Sequence, residues 1–219
     1  IIDAAKLIPG IVKSVFGMYL DFPDVVFSKG GSESFPPVLA ARILGIPIMI
    51  HESDAVPGKA NAWAGKFAKR IAISFAGSAE YFPKDRAAVV GNPIRKEFFI
   101  REVLGAKEYF KLESGTPVIF VFGGSQGSKN INDSLLDILP ELLPDYQLIH
   151  QCGKDNYEEC KGRADLILEN SPFKSRYRLF PYLESGAMRM AYGAADLAVS
   201  RAGSGSIFEI AASGLPSII

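Results

Sequence analysis

Cysteine is nearly absent: Cys152 and Cys160 are the only two in 219 residues. That excludes the disulfide-dense secreted scaffold, in which paired cysteines replace a hydrophobic core, and two reduced thiols are the simpler reading. Histidine is as scarce, with His51 and His150 alone, and no spacing of Cys and His fits a structural zinc site. Net charge is lacking as well. Twenty-four basic residues offset 24 acidic ones, so no global field draws the chain to nucleic acid or to an anionic bilayer. No apolar run approaches the roughly 20 residues that span a membrane, and no signal-peptide pattern opens the sequence.

What is present is apolar mass. Hydrophobic residues make up 48% of the chain, and the length falls between one large and two ordinary domains. The chain opens without Met, inside an amphipathic helix pattern, and closes on "GLPSII", which reads as a buried strand just begun. The expectation is an internal fragment of a longer protein.

Short β-branched runs alternate with helical patterns. Strands are expected at 24–28, 46–51, 70–74, 88–90, 117–122, 147–150, 176–180 and 196–200. Helices are expected near 3–20, 34–44, 57–68, 127–143, 185–194 and 204–213. This alternation predicts an α/β fold with doubly wound parallel sheets. "LGIP" at 44–47 and "SGLP" at 213–216 share one helix stop, a left-handed glycine followed by proline. That recurrence suggests two similar units. "VVGNPIRKEFF" at 89–99 breaks the pattern after a strand expected to be buried, so one domain is read as 1–93 and a second as 94–219. Ligands of such sheets bind beyond the carboxyl ends of the strands, and a cleft between the two domains is the expected site.

Four loops carry unusual chemistry. "GGSQG" at 123–127 joins a strand to a helix; its glycines admit close approach of backbone N–H groups, and the helix start favours an anion. Neither GxxxxGK[ST] nor GxGxxG is present there, and a plain tight turn capped by Ser125 is the competing reading. "SRAGSGSIFEIAASG" at 200–214 repeats the theme: Ser204, Gly205 and Ser206 offer helix-terminal N–H groups. Glu209 suits a ribose diol, or merely offsets the helix dipole. "SKGGSESFPP" at 28–37 and "IHESDAVPGKAN" at 50–61 lie in the first half. There His51, Glu52 and Asp54 offer a general base, or His51 is only a hydrogen-bonded strand-end residue. Arg95 and Arg201 each suit a diphosphate, or are surface cations. No Asp-x-Asp pair is available for a hard cation, so no metal is expected.

In the order KGG…P, HE-x-x-x-x-x-G-x-x-N, VGNP-x-R, GGSQG-x-x-x-x-N and SR-x-G…EIAA-x-G-x-P, these motifs closely resemble the MurG family, almost from end to end of the chain. That family comprises peripheral membrane glycosyltransferases. The resemblance implies a two-Rossmann, glycosyltransferase B fold. It also implies an inverting hexosyltransferase reaction, moving N-acetylglucosamine from UDP-GlcNAc to the lipid-linked muramyl-pentapeptide of peptidoglycan synthesis. No tightly bound cofactor is implied, UDP-GlcNAc being the donor substrate, and no nucleic acid. The expected location is the cytoplasmic face of the bacterial inner membrane.

Residue by residue, the resemblance implies donor contacts at Asp54, Arg95, Ser125, Gln126, Arg201, Ser204, Gly205, Ser206 and Glu209, with Glu209 on the ribose. Leu183, or its neighbour Tyr182, falls where backbone groups would read uracil. Gly30, Gly31, Ser32 and Asn132 fall on the acceptor side. His51, Glu52 and Asp54 are the catalytic candidates, with the base left open. The chain reads "HESD" where the family has His-Glu-Gln-Asn, and Ser32 where it has tyrosine, with Phe35 nearby. Family segments upstream of Ile1 and downstream of Ile219 are lacking, so the 219-residue piece by itself is expected to be inactive. In the first helix, Leu7, Ile8, Ile11, Val15 and Phe16, flanked by Lys6 and Lys13, form either a membrane-facing patch or one side of the core. The alternatives are another glycosyltransferase B enzyme such as a UDP-GlcNAc 2-epimerase, or a non-catalytic nucleotide-sugar-binding protein.

Overall fold

The computed structural model describes the backbone of residues 4–219 and the side chains from Leu7 onward; the flanking role expected of Lys6 lies outside the described residues. The chain divides into two compact units, residues 1–93 and 94–219.

In the first unit, α1 (Ala4–Asp21) and α2 (Phe35–Ile43) pack together, and α3 (Lys59–Ala64) follows. Four parallel strands, β1 (Val26–Ser28), β2 (Ile48–Glu52), β3 (Arg70–Ile73) and β4 (Ala87–Val89), lie in that order. Ile48 and Ile50 of β2 and Ile71 and Ile73 of β3 alternate onto one face, where they meet Val38, Ala41, Ala64 and Phe82. The expectation that the strand before Gly-Asn-Pro is buried fails: Val89 is 58% exposed because β4 is an edge strand.

The second unit begins with a single-turn α4 (Ala106–Tyr109) and continues as β5 (Val118–Phe122), α5 (Lys129–Leu142), β6 (Gln147–Gln151), α6 (Tyr157–Ile167), β7 (Tyr177–Phe180), α7 (Ser185–Ala194), β8 (Leu197–Ser200), α8 (Ser204–Ala212) and β9 (Ser217–Ile218). All five strands are parallel, in the order β7-β6-β5-β8-β9. Alternation along β5 separates two cores. Phe120 and Phe122 pack with Tyr192 and Phe98 on one face, and Val121 packs with Leu136, Leu139 and Leu148 on the other. The closing "PSII" forms strand β9, but on the open edge and not buried: Ile218 is 59% exposed.

The two helix stops work as read. Gly45 (φ +72) donates to the Arg42 carbonyl and Ile46 to Ala41; Gly214 (φ +62) donates to Ala211 and Leu215 to Ile210. Each is the paired backbone bond of a Schellman cap. Helix α6 had no counterpart in the sequence reading. It buries Cys160 and Ala164 along a charged helix, so its apolar stripe is two small residues wide and leaves little periodic signal.

Candidate functional site

Strand order fixes where a ligand can enter the second unit. From β5 the chain winds outward to β6 and β7, then returns to β8 on the other side of β5. The loops leaving β5 and β8 therefore diverge, and a crevice opens at their carboxyl ends. Those two loops are the Gly-rich segments 123–128 and 201–203.

The glycines of the first loop divide into two kinds. A Cβ on Gly127 would stand 1.9 Å from the Cys152 carbonyl oxygen, one on Gly153 would stand 2.2 Å from that of Gln126, and one on Gly123 would stand 2.3 Å from the Ser128 nitrogen. These three let the loop cross the end of β6. Gly124 (φ +85) is different: among the described residues an added Cβ would meet only Arg201, whose Nη2 would lie 3.3 Å away. Gly124 and the exposed Ser125 line a pocket of about 310 Å³ together with Arg95, Gln151, Leu183 and Glu209. Gln126 is exposed on the same loop but does not line the pocket. Ser128, not Ser125, occupies the N-cap position of α5.

The pocket carries both signs of charge. Arg95 donates through Nη1 to Ser185 Oγ and through Nη2 to Glu209 Oε1 at 3.2 Å, with its guanidinium over the Phe98 ring. The other Glu209 oxygen accepts the Tyr192 hydroxyl at 3.3 Å. Burial, and then the Glu209 carboxylate, raise the Tyr192 pKa, so the phenol stays a donor. The pocket also takes in the start of α8, where Ser204, Gly205 and Ser206 carry the N–H groups that no preceding turn can satisfy. Gly205, Ser206 and Glu209 all line the pocket. Arg201 is exposed beside it.

Leu183 is buried in the pocket wall, and its N–H already donates to Gln151 Oε1 at 2.8 Å. Tyr182 lines the same wall, 41% exposed. Gln151 itself was missed. Its signal was a glutamine closing a wholly buried strand, where an amide must find partners.

In the first unit, Glu52 is buried with both oxygens committed. Oε1 accepts the Asp54 N–H, and Oε2 accepts the Gly58 N–H and the Asn61 carboxamide. These bonds hold the turn after β2 and leave its carboxylate less free than that of Asp54. His51 is also buried. Its Nε2 lies 2.9 Å from the Gly91 carbonyl, which only accepts, so Nε2 carries the proton and Nδ1 faces Ser53 Oγ at 3.4 Å. Asp54 is exposed, and its carboxylate has no partner among the described residues. Gly30 (φ +86) lies over Asn61, and Gly31 (φ +87) and Ser32 line a separate pocket of about 400 Å³ with Phe35, Lys59 and Trp63.

Asn132 belongs to neither pocket. It is buried in the second unit, donating to the Cys152 carbonyl and accepting from His150 Nε2. Its acceptor-side assignment is corrected accordingly: its position on α5 faces the core, where those two groups need an amide. Among the described residues, no group of three or more His, Cys, Asp or Glu is placed to hold a metal ion.

Two family models match the chain. The Glycosyltransferase family 28 N-terminal domain covers residues 1–73, and the Glycosyltransferase family 28 C-terminal domain covers residues 118–219. A UDP-N-acetylglucosamine--N-acetylmuramyl-(pentapeptide) pyrophosphoryl-undecaprenol N-acetylglucosamine transferase of Clostridium kluyveri is 38% identical over 99% of the chain and 58% of the relative. The same-named protein of Treponema denticola is 35% identical over 100% and 56%. The crystal structure of Acinetobacter baumannii MurG matches with a TM-score of 0.66 at 27% identity, over 94% of this chain and 55% of that one. The UDP-GlcNAc 2-epimerase of Neisseria meningitidis, solved with UDP-GlcNAc, has a TM-score of 0.73 at 15% identity, over 96% and 62%, a likeness of fold alone. The chain thus spans somewhat over half the length of the curated relatives it matches.

Proposed function

We propose that this chain, which belongs to glycosyltransferase family 28, carries the donor pocket and part of the acceptor domain of an inverting UDP-GlcNAc-dependent transferase acting on the lipid-linked muramyl-pentapeptide of peptidoglycan synthesis. The observation that carries the reading is the pocket at the β5/β8 switch point, where a helix N-terminus and Arg95 stand beside the Glu209 carboxylate. Helix-terminal N–H groups and an arginine suit a diphosphate; a carboxylate beside them suits the ribose diol.

In the transfer, an acceptor hydroxyl oxygen bonds to the anomeric carbon as its bond to the UDP oxygen breaks. UDP leaves with the electron pair, and the hydroxyl proton passes to a base. Charge building on UDP is met by the α8 N–H groups, Arg95 and Arg201. Of the three base candidates, Asp54 has the exposed, uncommitted carboxylate, while His51 keeps a lone pair on Nδ1. Unit 1 is the acceptor domain, with Gly30, Gly31 and Ser32 on the acceptor side.

Contact with the membrane is peripheral and runs along α1. The exposed stripe is Ile8, Val12, Phe16, Tyr19 and Leu20, each at least 63% exposed. Leu7, Ile11 and Val15, read on sequence as either patch or core, are half-buried. Liposome flotation of a Val12→Asp, Phe16→Asp pair tests this, and undiminished binding would remove the idea.

Calorimetric titration of UDP-GlcNAc into the chain and its Glu209→Ala and Ser125→Ala variants, without metal, tests the donor reading. Weaker binding in both variants supports it; unaltered binding refutes it. A 2-epimerase would release UDP without passing sugar to lipid.

A further inference from the structure

We propose that Gln151 is the positioning residue of the donor pocket: its one carboxamide fixes the separation between the Gly-rich loop after β5 and the Leu183 segment after β7. The proposal rests on reading that pocket as a nucleotide-sugar site.

The argument starts from where the sheet stops. Gln151 is the last residue of β6, paired in register with Phe122 on one side and Phe180 on the other. Beyond Phe122 and Phe180 the backbone ladder has little left to offer. Cys152 donates once more to the Phe180 carbonyl, and Pro181 has no N–H to give. Yet the pocket walls lie further out, at Gly124 and Leu183.

Gln151 spans that gap with its side chain. Nε2 donates to the Gly124 carbonyl at 3.1 Å, and Oε1 accepts the Leu183 N–H at 2.8 Å. The side chain is 2% exposed, so water cannot replace either bond. The amide's two ends are different, a donor for one loop and an acceptor for the other. A carboxamide supplies both without titrating, and the shorter Asn lacks the reach. The base of the same loop is tied independently, through Asn156 Nδ2 to the Gln126 and Cys152 carbonyls. Gln151 therefore governs the pocket-facing part of the loop and not its anchorage.

The test uses the asymmetry. Gln151→Glu keeps the length and the acceptor for Leu183, but presents a second oxygen to the Gly124 carbonyl. Protonated, that carboxyl donates to the carbonyl and restores the bond; ionised, it repels it. Burial raises the carboxyl pKa, which brings the change into an accessible range. Arg95 and Glu209 face the pocket, Arg201 stands by Gly124, Glu184 follows Leu183, and Lys154 lies over the Tyr182 ring. All are present in both proteins, so UDP-GlcNAc affinity is taken as the ratio to wild type at each pH. The expected deficit is roughly tenfold at pH 8, shrinking to within about threefold at pH 5, as one hydrogen bond is worth. A ratio independent of pH overturns the proposal, since general loss of packing would not follow the proton.

A second measurement needs no ligand. In Gln151→Ala, amide hydrogen exchange should quicken at Leu183 and across residues 124–126. Unchanged exchange overturns the positioning role whatever the ligand does. Quickened exchange in a chain whose wild type fails to bind UDP-GlcNAc refutes the donor reading and leaves the loop-holding role standing.

Discussion

Arg95 Nη2 lies 3.2 Å from Glu209 Oε1, across 114 residues of chain. Arg95 stands just after the break at residue 93, and Glu209 in the second turn of α8, so the contact ties the start of the second unit to its far end. The arginine side chain is 43% exposed, and an ion pair so open to water stabilises little. Its worth lies in presenting a fork and a carboxylate side by side.

The fork is used at both tips, Nη1 on Ser185 and Nη2 on Glu209. A lysine cannot hold two such partners in one plane. Arg95→Lys is therefore expected to weaken UDP-GlcNAc binding roughly tenfold or more while moving the melting temperature little. Titration calorimetry beside a thermal melt reads both; a lysine variant that binds as wild type does would show that charge alone suffices.

Acid stability should be limited by His150. It is buried, with Nδ1 accepting the Tyr177 hydroxyl at 2.7 Å and Nε2 donating to Asn132 Oδ1 at 3.0 Å, so the neutral ring is fully partnered. Desolvation lowers its pKa from 6.5 to about 4. The unfolded chain thus takes up a proton below about pH 6.5 that the folded chain refuses until about pH 4. Stability is full above that window, falls as pH drops through it, and levels off below it, a loss on the order of 3 kcal/mol. Urea unfolding across pH 4–7.5 should give a steeper slope for wild type than for His150→Gln. Equal slopes would mean that other groups dominate.

The two thiols should be inert in the folded chain. Burial, and next its neighbour Cys160, push Cys152 up to about 12; burial likewise raises Cys160. Neither forms the thiolate that alkylation needs near neutrality. Iodoacetamide at pH 8 should label neither cysteine in buffer and both in denaturant, counted by mass. Labelling of the native chain at a rate typical of a free thiol would show that the β6–α6 region opens.

Much of this was legible in sequence for a definable reason. Parallel strands buried on both faces read as apolar runs, and Gly45 and Gly214 announce their helix ends through one steric rule. Gly205, Ser206 and Glu209 could be placed at one pocket because a loop between strand and helix constrains them. Partners distant in the chain were not legible. Nothing in "HESD" says that Glu52 is spent on Gly58 and Asn61, and nothing in the α5 pattern says that Asn132 faces inward to His150. The sequence left Leu7, Ile8, Ile11, Val15 and Phe16 between a membrane patch and the core; packing against α2 divides them, with Ile8 and Phe16 exposed and the other three half-buried.

Glycine supplies the sharpest separation of scaffold from site. At Gly127, with φ +80 and a Cβ position 1.9 Å from the Cys152 carbonyl, alanine has no room and the wrong backbone angle. Gly127→Ala should cost stability, on the order of 2 kcal/mol or more, and lose ligand binding as a consequence. Gly205 is the converse: an added Cβ meets nothing within 4 Å, and the residue sits in the first turn of α8, where alanine suits the helix. Gly205→Ala should leave the melting temperature equal or higher. If the N–H groups of 204–206 receive the diphosphate, that methyl stands in the ligand's path, and UDP-GlcNAc affinity should fall roughly tenfold with stability intact. A Gly205→Ala chain that keeps both its stability and its affinity would move the diphosphate away from the start of α8.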